Sequence, residues 1–128
     1  MIVDSSAIVA VLLRERGFDR LLEKMLSAES LGVGSPALAE TGIVLTARLP
    51  SDARGILARF LAELSVVTIP FGDAHWRESV NAYRRFGKGR HPAGLNFGDC
   101  LTYATAKLAA QPLLCTGDDF SKTDIEIA

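Results

Sequence analysis

No surplus of charge of either sign marks this sequence: 14 Lys and Arg face 15 Asp and Glu, for a net charge of −1. Bulk attraction to nucleic acid or to an anionic membrane is therefore excluded, and any nucleic-acid site has to come from local charge. Cysteine is scarce. Cys100 and Cys115 are the only two, and they make neither a C-x-x-C pair nor a cysteine–histidine ligand spacing. They read as reduced thiols of a cytoplasmic protein, not as a disulfide or zinc framework. Long hydrophobic runs are missing too, since no stretch approaches the ~20 uncharged residues of a membrane span. The opening run, Ile2 to Leu13, lacks a basic leader, carries Asp4 and passes straight into Arg14, Glu15 and Arg16, so it is not read as a signal peptide. Without repeats or low-complexity linkers, the 128 residues are expected to form one soluble domain without membrane contact.

What is present is apolar residue in quantity, 48% of the chain, enough for a real core. "MIV" suits a buried strand ended by Asp4, and Ser5 to Leu13 a helix broken near Gly17. Phe18, Leu21, Leu22, Met25 and Leu26 are spaced for a second helix. A short strand around Val33 precedes a helix opened by Pro36 and stopped by Pro50. Ser51 and Asp52 can cap a helix from about Ala53 to Leu64, followed by the strand "SVVTIP". The next helix, Asp73 to Phe86, is expected to turn Trp76, Val80 and Tyr83 toward the core. "GKGRHPAG" (Gly87 to Gly94) is a loop, Phe97 to Ala110 a helix, "PLLC" a strand, "TGDDFSKTD" a loop and "IEIA" a terminal strand. Strands alternating with helices imply an α/β sandwich with a mainly parallel sheet. Sites in such folds form at the carboxyl ends of strands, near the switch in strand order.

Acidic residues fall where such a site would lie. Asp4 ends the first strand, and Asp118 and Asp119 follow "PLLC". Asp99 opens the helix after the glycine-rich loop. Glu40 has Pro36, Ala37, Ile43, Val44 and Ala47 as helical neighbours, which places a carboxylate on an apolar stripe. Structural roles are open to most of them: Asp4 as a helix cap, Asp99 as partner of Asn96 in a capping box, Asp118 and Asp119 as turn residues after Gly117, and Glu40 in a buried pair with an arginine. Together they suggest one acidic pocket, whose mutual repulsion a hard divalent cation relieves. Magnesium prefers such oxygen ligands, whereas zinc would want the histidine and cysteine set this chain lacks. Arg84, Arg85, Lys88, Arg90 and His91 cluster just before Asp99 and could form a phosphate-binding rim, with His91 read as a surface residue and not a ligand.

Four stretches carry a resemblance that covers essentially the whole chain: "MIVDSSAIVAVL", "SPALAETGIVL", "YRRFGKGRHPAGLNFGDCLTYATAK" and "QPLLCTGDDFSKTDI". In these the sequence resembles the PIN-domain ribonucleases and, within them, the VapC-type toxins of type II toxin–antitoxin pairs. The resemblance implies a single PIN domain over residues 1–128, a PIN-like three-layer α/β/α sandwich, and Mg²⁺-dependent endonuclease activity on RNA, with Mn²⁺ as a plausible substitute. Its acids map onto Asp4, Glu40 and Asp99. For the fourth, Asp118 fits a Thr-x-Asp pattern and is favoured, while Asp119 fits an Asp-Phe pattern and is the alternative. Asp4 and Asp99 are expected to hold the cation, Glu40 and Asp118 to hold its waters or a second ion, and Ser5 or Ser6 to bond an Asp4 oxygen or the phosphate. Hydrolysis would leave a 5′-phosphate and a 3′-hydroxyl. The resemblance further implies a cognate antitoxin that can place a basic side chain in the acidic pocket, and a homodimer. Tyr83, Phe86 and Phe97 could stack on unpaired bases, although core packing is the expectation for all three. A catalytically silent PIN-fold module binding RNA or antitoxin is the alternative. A two-component receiver domain, suggested by Asp73, is disfavoured because Asp4 is followed by two serines and "PLLC" by Thr116 and Gly117.

Overall fold

The computed structural model describes all 128 residues. Chain order runs β1 (Ile2–Val3), α1 (Ser5–Leu12), α2 (Phe18–Ser27), β2 (Leu31–Gly34), α3 (Ser35–Arg48), α4 (Arg54–Glu63), β3 (Val66–Ile69), α5 (Asp73–Phe86), α6 (Phe97–Ala109) and β4 (Leu113–Leu114). The four strands pair in the order β3-β2-β1-β4, all parallel. Side chains alternate across a strand, and even the two-residue strands use this. Ile2 and Leu113 face the layer of α5 and α6, with Ala82, Phe86, Cys100, Tyr103 and Ala106. Val3 and Leu114 face the opposite layer, with Ile8, Val9, Met25, Leu45, Leu57 and Phe60 of α1 to α4. One apolar residue toward each layer makes the three-layer sandwich.

The strand order places the functional edge. From β1 the chain steps outward to β2 and β3, then returns to lay β4 on the other side of β1. The switch in direction therefore lies between β1 and β4, where a crevice opens at their carboxyl ends. Helix α6 precedes β4, and its first turns lie at that edge, where Thr102 bonds Asp4. Helix α3 begins directly after β2 and starts from the same edge.

Two expectations about the elements are corrected. Trp76, Val80 and Tyr83 of α5 are 48%, 53% and 44% exposed, and the core face is Ser79, Ala82 and Phe86 instead. The large side chains have surface partners: the Trp76 indole donates to Asp73 Oδ1 and lies under Arg77, and Tyr83 lies under Arg90. The segment "IEIA" is not a strand but a single parallel bridge, Leu113 to Ile127. A short 3₁₀ turn, Phe120–Lys122, interrupts the loop before it. No helix is long and apolar enough to cross a membrane.

Candidate active site

Asp4 is buried, 7% exposed, at the junction of β1 and α1. An ionised carboxylate is costly there unless hydrogen-bonded, and it is bonded three times. Oδ2 accepts from the Ser6 backbone N–H (3.1 Å) and from the Ser6 hydroxyl (2.5 Å). Oδ1 accepts from the Thr102 hydroxyl (2.8 Å). The first of these bonds caps α1, so the capping role holds. Ser6 also accepts from the Thr116 backbone N–H (3.1 Å), which ties the loop after β4 to the Asp4 carboxylate. The neighbouring Ser5 turns the other way and donates to Glu40 Oε1 (2.5 Å). Two adjacent serines at the start of one helix thus hold two acids from different elements.

Glu40 is exposed on α3 and has no arginine partner; its hydrogen bond is to Ser5. The apolar stripe that singled it out is itself largely surface, with Ile43 71% exposed. Its other oxygen lies over α6 at Gly98, where an added Cβ would stand 2.7 Å from Oε2. The missing side chain at Gly98 is what lets the Glu40 carboxylate sit beside the first turn of α6.

Asp99 occupies that turn and closes the capping box with Asn96. The Asp99 N–H donates to Asn96 Oδ1 (2.9 Å), and the Asn96 N–H donates to Asp99 Oδ2 (3.0 Å). Burial pushes the Asp99 carboxyl above the usual carboxylate range; the Asn96 bond opposes this, and the charges of Asp4, Asp119 and Glu40 add to it. The Cys115 thiol, at the end of β4, is pushed up to about 11 by burial and then by Asp4, Asp99 and Asp119. The charge of Asp119 bears on both groups. Gly117, at φ +77°, turns the chain out of β4, and Asp119, the alternative to Asp118 as fourth acid, starts the 3₁₀ turn. The Asp118 carbonyl meanwhile accepts from the Ser121 hydroxyl.

Asp4, Glu40, Asp99 and Asp119 thus gather at the switch-point edge. No three of these side chains converge into a ready-made metal cage. The donor set still fits a hard dication of the magnesium type, which keeps several waters and needs one or two carboxylates beside a phosphate. Every donor is an oxygen, and Asp99 Oδ1 and Glu40 Oε2 carry no hydrogen bond from the protein.

The basic residues separate into two groups. Arg85 bonds Asp124 (3.3 Å) and the Tyr103 hydroxyl (3.3 Å) and stacks on Phe86, so it is committed to the fold. His91 packs edge-on to Phe86 and accepts the Ala93 N–H through Nδ1 (3.0 Å), a structural role. Arg84, Lys88 and Arg90 are exposed and form no ion pair. Phe86 is core, whereas Phe97, expected there too, is 80% exposed beside Glu40 and Gly98. Asp73 is bonded to Trp76 and Arg77, which leaves it no receiver-like role. Gly98 and Thr102 were missed from sequence. Their only signal is position, one residue before Asp99 and three after it on the same helix face.

Comparison with known proteins identifies the family of the chain. The family model described as PIN domain matches residues 1–126. Ribonuclease VapC36 of Mycobacterium tuberculosis is 47% identical over 127 residues, which span 98% of this chain and 91% of that one. Ribonuclease VapC of Mycolicibacterium smegmatis is 41% identical over 127 residues, 98% of this chain and 97% of its own. Among solved structures, Mycobacterium tuberculosis VapC20, a Sarcin-Ricin loop cleaving toxin, has a TM-score of 0.79 at 17% identity and covers 99% of this chain and 97% of that one. A toxin–antitoxin complex from Klebsiella pneumoniae gives 0.73 at 16% identity, over 99% and 95%. A four-stranded parallel sandwich with acids gathered at its switch point, matched end to end by these relatives, belongs to the PIN-domain family and, within it, to the VapC ribonucleases.

Proposed function

We propose that this chain is the toxin of a type II toxin–antitoxin pair, an endoribonuclease that hydrolyses RNA phosphodiester bonds with Mg²⁺ at the acidic edge and is neutralised by a cognate antitoxin. Family membership supports the ribonuclease activity, and PIN-domain nucleases are generally dependent on a divalent metal. The observation that carries the site assignment is the gathering of carboxylates from residues 4, 40, 99 and 119 around a half-buried Asp99 whose ionisation they oppose. Such crowding is unfavourable unless a cation offsets it.

Asp4 and Asp99 would hold the cation, directly or through its waters, and Glu40 and Asp119 would orient water around it. When bound, the dication lowers the pKa of a bound water and offsets charge on the attacked phosphate. Mn²⁺ would serve as well, because it takes the same oxygen ligands. Ser5 and Ser6 fix Glu40 and Asp4 through the bonds described above. Arg84, Lys88 and Arg90 offer the positive rim that brings a polyanion toward an acidic pocket. Two exposed apolar surfaces support protein partners, an antitoxin segment and a second copy of the chain. One is the groove between α3 and α4 lined by Leu38, Ile43, Leu49 and Leu57, and the other surrounds Phe97 and Leu101.

The test uses the purified chain freed of antitoxin, a structured RNA, and Mg²⁺, Mn²⁺ or EDTA. Cleavage is expected with either cation and lost with EDTA or in Asp99→Asn. Cleavage that persists in EDTA, or an unaffected Asp99→Asn, overturns the metal mechanism. No cleavage with any cation would instead identify a silent PIN-fold binding module.

A further inference from the structure

Buried hydroxyls beyond the first turn of their helices share a habit in this chain. Thr41 donates to the Ala37 carbonyl (2.7 Å), Ser79 to that of His75 (2.8 Å) and Thr105 to that of Leu101 (3.1 Å), each back by one turn. That is the default for a helical Ser or Thr with no better acceptor. Thr102, on the same helix as Thr105 and only 4% exposed, departs from it. Its hydroxyl leaves the helix and donates to Asp4 Oδ1 at 2.8 Å, across 98 residues of sequence. A threonine hydroxyl has one proton to donate, and here the carboxylate receives it.

The consequence follows from counting acceptor sites. An ionised carboxylate has about four lone-pair directions. On Asp4, the two donors of Ser6 fill Oδ2, and Thr102 fills one direction of Oδ1. One direction remains, on Oδ1. Donors from two elements, α1 and α6, also stop the carboxyl group from rotating. Because Thr102 follows Asp99 by three residues on α6, the bond fixes Asp4 against the helix that carries Asp99.

We propose that Thr102 is a positioning residue of the metal site, whose hydroxyl holds Asp4 so that it meets a dication through Oδ1 alone and in fixed register with Asp99. This rests on the reading of the acidic edge as a metal site.

Mn²⁺ binding to the RNA-free protein, measured by titration calorimetry, separates the two. Thr102→Val keeps the shape and removes the hydroxyl, while Thr102→Ser keeps the hydroxyl. Thr102→Val is expected to retain the wild-type far-ultraviolet circular dichroism and to weaken Mn²⁺ binding by about 10-fold or more, the usual effect of removing a partner that orients a ligand. Thr102→Ser is expected to stay within about twofold of wild type by the same reasoning. Equal affinities for Thr102→Val and wild type overturn the proposal. If Thr102→Val does not fold, Thr102→Ala replaces it, and equal affinities for the Ala and Ser variants overturn the proposal. Asp99→Asn is the control for the site itself. If it binds Mn²⁺ as wild type does, or if wild type binds none, the metal-site reading fails and the role of Thr102 falls with it.

Discussion

Single carboxylates in this site carry opposite signs of stability. Asp4 is an acceptor for three donors, so Asp4→Asn turns an amide NH₂ toward at least one of them. Leaving a buried donor unmatched costs about 1–3 kcal/mol, and the melting temperature is expected to fall with or without metal. Asp99 is different, because its carboxyl is raised by burial and by the charges of Asp4, Asp119 and Glu40. Asp99→Asn keeps an oxygen for the Asn96 N–H but removes the charge, so in EDTA at neutral pH it is expected to melt higher than wild type. A group whose folded pKa is raised costs stability where it is ionised. The advantage of Asp99→Asn therefore fades as pH falls through the carboxylate range. A melting series in EDTA between neutral and acid pH checks both signs. The dual character of Asp4, cap and ligand candidate, was legible in sequence, since a strand end followed by a helix start admits both. Glu40 was found for a partly mistaken reason: of its apolar neighbours only Ala37 is core, while Ile43 and Ala47 are exposed, which helical spacing alone cannot distinguish.

Among the elements, α6 concentrates what the site needs. Gly98 there is a close-approach glycine whose Cβ would strike the movable end of Glu40, not backbone. Alanine favours helix over glycine by up to about 1 kcal/mol. Gly98→Ala is accordingly expected to leave the melting temperature unchanged or raised while lowering RNA cleavage, because Glu40 must swing away. A fall in both would mean that the glycine serves packing alone. On the far side of α6, Asp124 accepts from Tyr103, Lys107 and Arg85 and latches the C-terminal segment to α5 and α6. Burial opposes its ionisation, but the bonds from Lys107 and Tyr103 outweigh burial and hold it at about 2. Asp124→Asn should lower the melting temperature at neutral pH, and the deficit should shrink as pH drops from about 4 toward that value, because a depressed carboxylate stabilises only while ionised. Element positions were readable because Pro36, Pro50, Gly87 and Asn96 punctuate the chain. The buried face of α5 was not, because size was taken for burial: Ser79 and Ala82 pack where layers meet closely, and Trp76 and Tyr83 find arginines at the surface.

At the scale of the whole molecule, a net charge of −1 leaves RNA attraction to the free cations near α6. Arg84→Ala and Lys88→Ala are expected to raise KM more than they lower kcat. Each should also flatten the salt dependence by about 0.7 in log–log slope, as for one phosphate contact on a single strand. Arg85→Ala should instead lower the melting temperature, because its guanidinium is bonded to Asp124 and Tyr103.

The strand order has a bearing on the life of the chain. Strand β4 is the last to be synthesised and inserts against β1, the first, and Thr116 and Asp119 reach Asp4 and Asp99 only when it does so. While residues 99–119 are still within a ribosome, Asp4 and Glu40 have emerged with Ser6 and Ser5, but Asp99, Thr102 and Asp119 have not. A nascent chain at that stage therefore holds no assembled site beside the RNA of the machine that makes it.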